Sequence, residues 1–181
     1  MANIPKVVTH RYSPAIGACR NVCSLPDHEA LRVIDRLRCE FRPTLKPDYL
    51  VRRRRTEDWL SKAACAALGR RFEGLPAYFF LGDFSDRDDP SRPASLVLPL
   101  SHLPSGAISF TLGDSMSVAE QADPRIYKLD QILSIFLTDD SIATFGVSDQ
   151  LGFHKDFIEV QVWERSWLSA HHFDAPPLHR N

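Results

Sequence analysis

The chain has 181 residues, 44% of them hydrophobic and 25% charged, a composition that suits one globular domain with a core of its own. A formal net charge of −1 gives no global attraction to nucleic acid, although a local basic patch would act regardless of the total. No stretch approaches the roughly 18 apolar residues that a membrane helix needs, and the opening MANIPKVVTHRYSP lacks the apolar centre of an export signal, so a cytoplasmic protein with no membrane partner is expected.

KVVTHRY (6–12) predicts a first strand, dense in β-branched residues and closed by Pro14. SLPDHEALRVIDRLRCEF predicts a helix capped by Ser24, with Asp27 three residues on and Ala30, Ile34, Leu37 and Phe41 facing the core at helical spacing. FRPTLKPDY interrupts it with two prolines. A second helix is expected from a cap at Thr56, with Trp59, Leu60, Ala63, Ala64, Ala67 and Leu68 as its apolar face and Gly69 as its stop. AYFFLG (77–82) is the most strand-like run, and the polar DFSDRDDPSRP after it is an exposed loop. SLVLPL and AISFTL predict two more strands, RIYKL a short strand leading into a helix over DQILSIFL, and DFIEVQVWE (156–164) a last strand. Residues 166–181 are expected to form a loosely ordered tail. With no internal repeat, the pattern gives a single α+β domain over 1–181, with a mixed, mostly antiparallel central sheet flanked by helices.

Strand periodicity offers the sharpest chemical clue. In 156–164, Ile158, Val160 and Val162 share one face, which leaves Glu159, Gln161 and Trp163 on the other. Ser109 and Thr111 alternate in the same way against Ile108, Phe110 and Leu112. In the first strand His10 and Tyr12 share a face with Val8, and Thr9 and Arg11 share one with Val7. Such polar positions line a cleft or form an ordinary solvated outer face. The run Arg52–Arg55 reads as a phosphate-binding patch or as a solvated basic loop, placed by this reading just before the second helix. The pair Cys19 and Cys23 has no matching second pair, so Cys19, Cys23, Cys39 and Cys65 are expected to be reduced and to hold no zinc; His171 and His172 lie in the tail.

The order of these motifs resembles the ADP-ribosyltransferase superfamily, and within it the DarT-like toxins that modify single-stranded DNA. THRYS (9–13) is similar to the strand that opens that domain with a nicotinamide-side histidine. YLVRRRRTE (49–57), followed by a helix and PAYFFLG (76–82), is similar to its arginine segment and PFYF-like strand. SFTLGDSM (109–116) resembles its FTDGHA-like turn, and IEVQVW (158–163) the strand that presents its catalytic glutamate. The chain departs from the pattern in reading E-x-Q where Q-x-E is usual, and in having Gly82-Asp83 where an arginine follows the PFYF-like strand.

The resemblance implies an ADP-ribosyltransferase-like fold and NAD as substrate, with Glu159 stabilising the positive charge that develops on the ribose. It further implies that Gln161 orients ribose or acceptor and that Arg53 binds a phosphate. His10, Tyr12, Tyr78, Ser109 and Thr111 would lie on the cofactor side. Single-stranded nucleic acid and a cognate antitoxin protein are the partners that it suggests. Two other readings stand beside it: a non-catalytic interaction module (antitoxin, immunity or adaptor protein), and a metal-independent RNA-processing enzyme using His10, His154 and the arginine run.

Overall fold

The structure is a computed structural model that describes residues 4–138 and 157–164. The expected tail over 166–181, with His171 and His172, and His154 lie outside the described residues.

Five strands form one sheet in the order β3-β1-β2-β5-β4, where β1 is Val7–Tyr12, β2 Ala77–Leu81, β3 Ala94–Pro99, β4 Ile108–Leu112 and β5 Ile158–Val162. Every pairing between these strands is antiparallel, so the expected mixture is absent among the described residues. Each strand lies within two residues of its expected bounds, since β-branched and aromatic density sets them. RIYKL shrinks to an isolated bridge in which Tyr127 and Phe110 exchange backbone hydrogen bonds of 2.9 and 3.0 Å.

Period-two alternation gives the sheet two unlike faces. Val8, Phe79, Leu81, Phe110, Val160 and Val162 form the apolar one, buried with Ile132 and Phe136 of helix α4 (Leu129–Thr138). The second face carries Ser109, Thr111, Glu159, Gln161 and Tyr78, brought into line by the registers Ser109↔Gln161, Thr111↔Glu159 and Tyr78↔Gln161. Helix α2 (Tyr49–Leu68) lies on this side, with Leu60 and Ala64 packed in one cluster with Trp163. A polar face closed under a helix becomes an interior, where each polar atom needs a partner.

Two helix starts differ from expectation. Helix α1 (Asp27–Glu40) begins after Pro26, whose φ of −54° already suits a helix entry, while Asp27 and Glu29 set negative charge in the first turn. Ser24 instead closes a 3-10 turn over Val22–Ser24, its hydroxyl donating to the Asn21 carbonyl at 2.7 Å. Phe41 lies just past the end of α1, 38% exposed, and is not part of the core. Helix α2 starts at Tyr49 and not at Thr56, because Pro47 forbids helix only to Lys46 before it, and arginines propagate a helix well. The arginine run therefore sits inside α2, and Thr56 is a buried helical residue whose hydroxyl bonds back to the Arg52 carbonyl. Gly69 ends α2 in the left-handed conformation (φ 69°) as expected. The short helix α3 (Ser115–Ala119), capped by Asp114, was not expected. No helix among the described residues is long and apolar enough to cross a membrane.

Candidate functional site

Strand β1 keeps six registered pairs with β3 but only two with β2, Val8↔Leu81 and Thr9↔Phe80. Beyond Thr9 the two strands part. A cavity of about 320 Å³ lies in the parting, walled by residues 10–13 of β1 and the turn after it, Tyr78–Phe80 of β2, Glu159 of β5, and Tyr49 and Arg53 of α2. That volume is at the small end of ligand sites. Arg42 and Arg92 also line it, and Asp89 pairs with both, at 3.6 and 2.8 Å.

Glu159 and Asp114 are the carboxylates that line this cavity, and Glu159 is the buried one. It occupies the second residue of β5, a strand paired on both sides, and is only 8% exposed. Gln161 fixes it from below: its amide nitrogen donates to Glu159 Oε1 at 3.1 Å and to Thr111 Oγ1 at 3.0 Å, while its oxygen accepts from Ser109 Oγ at 2.9 Å. The Trp163 indole N–H donates to the same Ser109 hydroxyl at 2.9 Å, and the Thr111 hydroxyl donates to the Gly113 carbonyl at 3.0 Å. Gly113 (φ 100°) makes the turn that lets Asp114 cap α3. Burial raises the Glu159 carboxyl from 4.5 to about 7; Arg53 opposes the rise and Asp114 adds to it, while hydrogen bonds from Ser115 and Gln161 favour the charged form.

Arg53 faces Glu159 from α2 and is 9% exposed. Its Nε stands 3.1 Å from Glu57 Oε1 one turn on, its Nη1 donates to Ser115 Oγ at 3.2 Å, and its guanidinium lies 4.2 Å from the centre of the Tyr78 ring. Burial works against its charge, but Tyr78, Glu57 and Glu159 outweigh that and hold it protonated above its ordinary range. Glu57, 2% exposed, also accepts from the Tyr78 hydroxyl at 2.8 Å and from the Asn21 amide at 2.9 Å. The other arginines are dispersed by the helical turn of about 100° per residue. Arg52 pairs with Glu120, Arg54 reaches Asp27 at 2.6 Å, and Arg55 is exposed.

His10 spans the parting. Its Nδ1 lies 2.6 Å from the Tyr78 carbonyl, which can only accept, so Nδ1 carries the proton. Its Nε2 then accepts the backbone N–H of Cys19 at 2.8 Å. Burial holds the ring neutral down to about 4. Cys19 is the one non-glycine residue of positive φ (58°) among the described residues, and the His10 bond ties down that strained turn.

Of the residues singled out in the sequence, Glu159, Arg53, His10, Tyr12 and Tyr78 line one cavity. Gln161, Ser109 and Thr111 do not. All three are fully buried beneath Glu159, where α2 covers the polar face, so direct contact with a ligand is corrected to support of the carboxylate. His10 meets the cavity with its ring, both nitrogens being engaged. Three polar groups of the site are not singled out by the sequence pattern: Asn21, Ser115 and Glu57. The i, i+4 spacing of Arg53 and Glu57 would have paired them had the helix been started at Tyr49. Cys19, Cys23, Cys39 and Cys65 are free thiols.

Comparison with protein-family models, with curated proteins and with solved structures gave no match to this chain in any of the three.

Proposed function

We propose that the protein is an NAD-dependent ADP-ribosyltransferase whose reaction takes place at Glu159. The observation that carries this reading is a buried carboxylate in a cavity walled by tyrosine and phenylalanine rings, with its nearest cation already shared by a second carboxylate. Such a carboxylate is under-compensated, and a ligand that brings positive charge to it is favoured. NAD meets that demand: its nicotinamide ring is a planar cation, and breaking the nicotinamide–ribose bond moves the positive charge onto the ribose. The electron pair of that bond leaves with nicotinamide, the acceptor's nucleophile bonds to the ribose carbon, and the nucleophile's proton is taken up by the Glu159 carboxylate.

The other cavity groups fit the same reading. The rings of Tyr12 and Tyr78 offer stacking surfaces, and Arg53 offers a fixed cation to a phosphate or to the ribose hydroxyls. Gln161, Ser109 and Thr111 serve by locking Glu159 in one rotamer, which is the pre-organisation that electrostatic catalysis needs. A toxin or defence effector acting on single-stranded nucleic acid or on protein, with an antitoxin partner, is the biological setting in keeping with this chemistry. The arrangement of His10 weighs against RNA cleavage by histidine acid–base catalysis, since both of its nitrogens are occupied and its ring stays neutral down to about 4.

Titration calorimetry with NAD at pH 8, followed by incubation with adenine-labelled NAD and either single-stranded oligonucleotides or cell protein, tests the reading. Binding of NAD and label on one acceptor class are expected. Absence of both binding and NAD consumption would overturn it.

A further inference from the structure

Glu57 is a second buried carboxylate beside the cavity, and the reaction as described above does not use it. Its two oxygens are fully engaged, Oε1 by Arg53 Nε (3.1 Å) and the Asn21 amide (2.9 Å), Oε2 by the Tyr78 hydroxyl (2.8 Å). Three elements thus converge on it: α2 itself, the 3-10 turn capped by Asn21, and β2. The Asn21 amide also donates to the Pro76 carbonyl at 3.3 Å, which ties the start of β2 into the same knot. Arg53 in turn stands over the Tyr78 ring whose hydroxyl Glu57 holds, so that ring and guanidinium are set against each other by one carboxylate.

Resting on the ADP-ribosyltransferase reading, we propose that Glu57 is a positioning residue: by clamping Arg53 from behind, it fixes where the guanidinium stands over Tyr78 and limits how much of its charge reaches Glu159. Without that clamp the guanidinium keeps only Ser115 and the Tyr78 ring and can turn to Glu159, closing an ion pair across the cavity where a cationic ligand would otherwise be placed. The charged or titratable groups that line the cavity with Glu159 are Arg53 and Tyr49 from α2, Tyr78 from β2, His10, Arg11 and Tyr12 from β1, Arg20 from the segment after it and Asp114 from the turn after β4, with Arg42 and Arg92 held by Asp89. Of these, Arg53 is the cation that Glu57 holds, so Glu57 acts on Glu159 through the position of Arg53 as well as through its own charge.

The test follows the Glu159 carboxyl by NMR in protein carrying carboxyl-labelled glutamate, assigned by its loss in Glu159→Gln, so it needs no activity. In Glu57→Gln the midpoint of Glu159 should fall by about one pH unit or more, because a released Arg53 favours the carboxylate. Glu57→Asp keeps the charge but is one methylene too short to reach all three partners, so it should give a smaller fall. A Glu57 that acts on Glu159 only by its own charge would lower the midpoint in Glu57→Gln and leave it at the wild-type value in Glu57→Asp, which keeps that charge; a wild-type midpoint in Glu57→Asp therefore overturns the proposal. The acid limb of the pH–rate profile for NAD cleavage should move by the same amount as the midpoint, with kcat at pH 8 reduced about tenfold and KM changed less than about twofold. If wild type cleaves no NAD, the function reading fails while the titration still decides the role of Glu57.

Discussion

Glu159 ionises near pH 7 because burial removes water from it while Arg53, shared with Glu57, compensates only in part. Between about 4.5 and 7 the folded protein keeps a proton on Glu159 that the unfolded chain has released, so this residue's contribution to stability falls as pH rises through that window. His10 has the opposite sign. Its ring stays neutral in the fold down to about 4, whereas the unfolded ring takes a proton near 6.5, so its contribution is lost as pH falls from 6.5 toward 4. The two slopes oppose one another in wild type. Glu159→Gln removes the first, and its stability relative to wild type should rise between pH 5 and pH 8 by on the order of 2–3 kcal/mol. Urea unfolding at the two pH values checks this; a gap that does not change with pH would mean that Glu159 is not the buried acid described. For the same reason the proposed NAD turnover should rise with pH through about 7 and then level off.

Helix α2 shows how one run of four identical residues acquires four different surroundings. Arg53 alone points under the helix, where Glu57, Ser115 and the Tyr78 ring hold it, while Arg52 and Arg54 make exposed ion pairs. Arg53→Ala leaves Glu57 as a buried carboxylate without its cation and should cost about 3–5 kcal/mol. Arg54→Ala should stay within about 0.5 kcal/mol. Thermal unfolding of the two variants compares them; equal losses would contradict the inward placement of Arg53. The sequence marks this run as unusual but does not orient it, since a cap at Thr56 lies eight residues beyond the observed cap, Asp48. Strands were easier to read. Period-two alternation put Glu159 and Gln161 on one face and Ser109 and Thr111 on one face, and the register then brought the two pairs together. What alternation could not say is which polar face lies open and which is closed under a helix, and for that reason Gln161, Ser109 and Thr111 were assigned to the ligand when they support the carboxylate.

At the scale of the molecule, the cavity follows from strand order. β1 stays with β3 and leaves β2 after two pairs, whereas β2, β5 and β4 remain paired along their lengths. The α+β class and nearly every strand could be read from composition and periodicity. The parting could not, because it depends on His10 and the Cys19 turn filling the gap, a contact between residues whose partners are distant in sequence or lie in a strained loop. Amide hydrogen exchange should be slowest in β5, buried at all five positions and paired on both sides, and faster in the edge strand β3, whose alternate residues are exposed; comparable protection in the two strands would contradict this sheet order. In the proposed function, Glu159 is the group at which the nicotinamide–ribose bond breaks. Release of free nicotinamide from NAD by purified wild-type protein and by Glu159→Gln at pH 8 tests that directly. Wild type should release it, and the variant should do so on the order of 10²-fold more slowly with its fold intact; no release by wild type, or an equal rate from the variant, would contradict the account.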